Sequence, residues 1–159
     1  MELFPAGEII DPPPCSWSTT GDDIKAGNYY PLWNEPGNPV HSLLWQHLDI
    51  VLELTRRALD LADNDDAKRF AEIARGLLDR ALHSDQWWWA SMRPMWDINL
   101  IDRGMTEQSE VVLNAFKSIL ASGAGKSIKR GLHYKAIVAR ELREELRDYL
   151  FFGSSVFPW

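Results

Sequence analysis

From Pro39 onward, apolar residues recur every three or four positions. Val40, Leu43, Leu44, His47, Leu48, Val51, Leu54 and Ala58 share one face of a helical wheel, and Ser42, Gln46, Asp49, Glu53, Arg56 and Asp60 share the other. That spacing predicts an amphipathic helix. Asn38 is placed to cap it, and Pro39 suits its first position. After the turn "ADNDD", a second helix is predicted from about Asp65 to Leu82, with Phe70, Ile73, Ala74, Leu77 and Ala81 inward. A third, short helix begins near Ser84 and must end by Pro94, because proline disfavours helix in the residue before it. A fourth runs from about Asp97 to Ala121 on Ile98, Ile101, Met105, Val112, Phe116 and Ile119. "SGAG" breaks the chain. A fifth follows from Lys126 to about Phe152 on Leu132, Ala136, Ala139, Leu142, Leu146 and Tyr149, and its charged stretch "RELREELRD" reads as a solvated face.

No stretch shows the β-branched alternation of a strand. The predicted fold is therefore all-α: a helical bundle of about four long helices and one short one, occupying residues 39–159. Residues 1–38 are different. "DPPPCSWSTTGDD" and "LWNEPGNP" cannot be regular helix, and the segment reads as an extended, Pro-rich arm that packs on the bundle. Its aromatic residues Trp17, Tyr29, Tyr30 and Trp33 have no core of their own to fill. "STTGDD" offers a hydroxyl cap for one turn of helix, with Asp22 and Asp23 as its first-turn acids.

The chain has 159 residues, enough for one domain with a real core. Its net charge of -6 argues against nucleic acid, which needs a basic face, and against an anionic membrane surface. With a single cysteine it can form no internal disulfide and no cysteine zinc site. The first fifteen residues lack a basic start followed by an apolar stretch, and no apolar run approaches the roughly 18 residues of a membrane span. The expected location is cytoplasmic.

Four of the eight tryptophans fall between His83 and Asp97, in "HSDQWWWASMRPMWD". Trp87, Trp88 and Trp89 are consecutive. On a helix they sweep about 200°, wider than one core-facing stripe, so at least one ring leaves the core or sits at its rim. An outward indole is a flat apolar plate with one donor. It suits the face of a sugar ring or a protein partner. Small polar groups close by, Asp85, Gln86, Ser91, Arg93, Asp97 and Asn99, point to a polyol held by plates and a few placed hydrogen bonds. The candidate ligand-binding residues are Trp17, His83, Asp85, Trp87, Trp88, Trp89, Arg93 and Trp96. The candidate ligand is an oligo- or polysaccharide.

"CSWSTTGDDIKAGNYYPLW", "NPVHSLLWQHLD" and "LHSDQWWWASMRPMWDINLIDRG" together resemble the helical region that follows the barrel in proteins similar to family-57 glycoside hydrolases and polysaccharide deacetylases. The likeness covers most of residues 14–105. It implies a sugar-facing helical domain that leans on a catalytic barrel, and it implies that "LFPAGEIIDPPP" connects to that barrel. The family's catalytic carboxylates lie in the barrel. This chain lacks the β/α alternation a barrel needs, so no catalytic residue is carried over.

Other chemistry is weak. Asp85 and Asp97 flank the tryptophans as a carboxylate pair would, but helix capping accounts for both. "SGAGKS" lacks the first glycine of a P-loop and follows a helix instead of a strand. Of the four histidines, His41 and His47 lie on different faces of one helix, no HExxH occurs, and no metal site or cofactor is expected. His47 is expected at the core edge, bonded to a neighbour. The alternative to sugar binding is a protein-interaction or oligomerisation module, in which these aromatics and the apolar tail "YLFFGSSVFPW" meet a barrel domain or a second chain.

Overall fold

A computed structural model describes residues 14–93 and 95–156, with side chains as far as residue 152. Six helices follow one another: α1 (Gly21–Lys25), α2 (Pro39–Leu61), α3 (Asp65–Ala81), α4 (Asp85–Trp89), α5 (Ile98–Ala121) and α6 (Lys126–Val156). Among the described residues there is no strand, and the protein is all-α. No described helix is long and apolar enough to cross a membrane. The expected connection from a barrel lies outside the described residues except for Pro14, as do Phe157 and Trp159 of the apolar tail.

Local chemistry sets the helix starts. The Asn38 side chain accepts from the backbone N–H groups of Val40 and His41, and Pro39 follows it. Asn64 accepts from Ala67 N–H, and Asp97 from Leu100 N–H. Thr20 and Asp23 form a reciprocal capping box on α1. Each such cap is worth about 0.5–2 kcal/mol.

Helix α5 is the hub. It packs most extensively on α3, then on α2 and α6, and also supports α4. Leu44, Leu54, Ile101, Met105, Ile119 and Leu146 are fully enclosed between these helices. Burial of each stabilises by about 1.5–3 kcal/mol. The inward stripe of α3 is Ala67, Ala71, Ala74, Leu78 and Ala81. Small side chains let α3 and α5 approach closely. Ile73, expected inward, is exposed instead: it lies about 120° around the helix from that alanine stripe.

A buried polar thread crosses the core. The His47 Nδ1–H donates to Gln108 Oε1 at 2.7 Å, and Gln108 Nε2 donates to Gln86 Oε1 at 3.0 Å. Gln86 Nε2 in turn donates to the carbonyl of Ala81 at 2.9 Å. All three side chains are buried. The thread fixes α4 to α2 and α5, and it runs over Gly104, where an added Cβ would stand 2.6 Å from Gln86 Oε1.

Candidate functional site

The inward face of α4 is Gln86 and Trp87. Trp87 is only 2% exposed, so of the three adjacent indoles this one belongs to the core. Its ring lies on Trp45 of α2, centroids 4.4 Å apart and tilted by 30°. Trp88 and Trp89 are half-buried at the rim. The indole N–H groups of Trp87 and Trp88 are both enclosed without an acceptor. The wide sweep expected of the run is present: one ring in, two at the edge.

The chain then turns sharply. Met92 adopts φ 59°, a left-handed conformation that costs a non-glycine residue on the order of 1 kcal/mol or more. The turn closes with the Met92 N–H donating to the carbonyl of Met95 at 3.0 Å and the Asp97 N–H to the carbonyl of Trp89 at 3.1 Å. It aims Arg93 back at the arm. The Arg93 guanidinium makes a two-pronged contact with Asp23 at 2.9 and 3.1 Å and also donates to Glu35 at 2.9 Å. Asp23 further accepts from the backbone and hydroxyl of Thr20 at 2.9 and 2.7 Å. The Arg93 guanidinium first, then the Thr20 donors, hold the Asp23 carboxyl down to about 2.

Two further ties join the arm and α4. His41 of α2 accepts the Glu35 N–H at Nδ1, 3.0 Å away, and donates from Nε2 to the carbonyl of Trp87 at 2.9 Å. Those roles fix the neutral tautomer. Burial pushes the His41 imidazole below its ordinary 6.5, opposed by the Trp87 carbonyl and the Glu35 charge. Asn38, already a helix cap, donates to the carbonyl of Ala90 at 2.6 Å. The Trp45 indole donates to the carbonyl of Trp33 at 2.9 Å.

The result is a corner where arm, α2 and the α4 turn are fastened to one another, with large apolar side chains left in water. Trp17 is 78% exposed, Trp45 38% and Trp96 37%, and Tyr30 and Met92 are also exposed. Of the residues expected to bind a ligand, Trp17 and Trp96 are open to solvent, as is Asp85. Trp87 faces inward. Arg93 is engaged by Asp23 and Glu35. The His83 ring meets Trp89 at a tilt of 57°, centroids 5.3 Å apart, and lies 3.3 Å from Glu107. Sequence reasoning did not single out Trp45 or His41 for this corner. Trp45 lies off the apolar stripe of α2, which was the available signal. Asp97 caps α5, as expected, whereas Asp85 does not cap α4: Ser84 holds that position, with no side-chain cap bond, and Asp85 is a first-turn acid. No group of three or more metal-ligating side chains occurs among the described residues.

No protein-family model matches this chain, no curated protein resembles it, and no solved structure matches its fold.

Proposed function

We propose that this chain is a non-catalytic docking domain whose contact surface is the aromatic corner built by the arm, α2 and the α4 turn. One observation carries this reading. Five large apolar side chains, Trp17, Tyr30, Trp45, Met92 and Trp96, stand in water on segments whose polar groups are consumed in holding the backbone still. Rigid, exposed Trp and Met side chains with little free polar chemistry suit a protein surface better than a soluble polar ligand. The partner is a second folded domain. A barrel of the kind found in family-57-like glycoside hydrolases, which the sequence resemblance of residues 14–105 would imply, is the candidate for that domain.

The experiment is concentration-dependent light scattering with binding of a hydrophobic dye. An uncovered interface of this kind binds the dye and drives self-association as the chain is concentrated. The double variant Trp45→Ser, Trp96→Ser loses both effects while keeping the helical circular dichroism. A wild-type chain that stays monomeric and dye-silent sinks the proposal.

A second reading keeps the sugar. Asp85 is exposed on the same short helix as the half-buried Trp88 and Trp89, and Asn99 is exposed at the start of α5, a combination of plates and hydrogen-bonding groups. Tryptophan fluorescence titrated with α-glucan oligosaccharides tests it. A saturable emission shift, removed by Asp85→Ala, supports a sugar subsite at the corner, and an unchanged spectrum at millimolar sugar removes it.

A further inference from the structure

A second site lies away from the corner, between α2, α5 and α6. Ser109, Val112, Leu113 and Phe116 form one stripe of α5 at three- and four-residue spacing, and His133, Ala136, Ile137, Arg140 and Arg143 form the facing stripe of α6. The two stripes meet where Phe116 stacks on His133, ring centroids 5.1 Å apart, but do not close along their whole length. Ala136 and Ala139 are too small to fill the gap, and a cavity of about 390 Å³ remains with His47 of α2 at its inner end.

Its chemistry is one-sided. Most of the wall is aliphatic or aromatic, and its charged side chains are cationic. Arg143 makes one hydrogen bond, to Thr106 Oγ1 at 3.0 Å, and its Nε is enclosed with no partner. Neither Arg140 nor Arg143 forms an ion pair among the described residues, and no carboxylate lines the cavity. This is unusual in a chain of net charge -6. Arg140 also lines an acid-rich groove with Glu141, Glu144, Glu145 and Asp148, and none of these carboxylates is part of the cavity wall. His47 uses Nδ1 for Gln108, which leaves Nε2 as the ring's uncommitted polar atom. A half-enclosed guanidinium without an anion is expensive, and an anion supplied from outside relieves it.

We propose that this cavity binds a small amphipathic acid, its apolar body against Val112, Phe116 and Ala136 and its anionic head between Arg140 and Arg143. A guanidinium accepts a carboxylate or a phosphate equally well in two-pronged geometry. The shared chemistry is therefore an anionic head on a short apolar chain. This site does not depend on the aromatic corner, and either can fail without the other.

Isothermal titration of the full chain with decanoate, decyl phosphate and decanol tests the proposal. The expected result is saturable one-to-one binding of one or both acids, a raised melting temperature, and much weaker binding of decanol. The head group that binds identifies the natural class. Arg140→Met changes an exposed residue and leaves folding intact, and it weakens binding about tenfold, the cost of one charge-assisted bond. Arg143→Met weakens it further, and Ala136→Phe fills the cavity and abolishes binding. Absence of saturable binding by either acid, equal binding of decanol, or indifference to Arg140→Met overturns the assignment.

Discussion

His41 and His47 are both enclosed in the fold and both held neutral, with burial as the first cause. In the unfolded chain they titrate at their ordinary value near 6.5. Below that pH the unfolded state binds protons that the folded state refuses, so stability falls as pH drops. Asp23 acts lower. Its folded value near 2 lies beneath the ordinary 3.8, so the stability it contributes is complete above 3.8 and fades as pH falls toward 2. Urea titrations across pH are expected to show a first decline beginning near pH 6.5 and a separate one below 3.8. A midpoint constant from pH 7 to 4 would contradict the burial of the two imidazoles. Gly104 is the other telling residue. Gly104→Ala gains up to about 1 kcal/mol of helix propensity, but its methyl group meets the Gln86 amide, and overpacking costs about 1–3 kcal/mol. The net effect is a lower urea midpoint. Replacing exposed Gly76 of α3, which has open space around it, raises the midpoint instead. Neither the Gln86–Gln108 thread nor the burial of His41 was legible in the sequence. A glutamine on a helix reads as surface, and its partner lies tens of residues away.

Among the elements, the capped helices were the most legible, because Asn38, Asn64, Asp97 and Thr20 each act on neighbours within three residues. The three-tryptophan run was legible in part. Its angular width announced that the rings must divide between core and rim. Which ring turned inward depended on Trp45, more than forty residues away, so spacing alone did not decide it. The α4 turn depends on Arg93. Arg93→Ala leaves Asp23 and Glu35 facing each other's charge and removes one of the ties between the arm and the turn. Carbon-detected NMR titration is expected to show the Asp23 carboxyl moving up from about 2 toward 3.8, with faster amide exchange in α1 and little change in α5. An unmoved Asp23 would mean that Thr20, not Arg93, governs it.

At the scale of the whole molecule, the all-α architecture followed from the helical period and the missing strand signal, and the charge of -6 did nothing to alter it. The corner and the cavity were harder to see, since both arise where stripes from distant helices fail to meet. His41 has a consequence of its own. One imidazole ring grips the arm through an amide of Glu35 and the helical turn through a carbonyl of Trp87, so it works as a shared hinge pin. Withdrawing it loosens two segments in a single event, with Arg93 and Asn38 as the ties that remain. A protease probing His41→Ala would therefore nick both together, at equal rates, whereas two independent fasteners would give way one at a time.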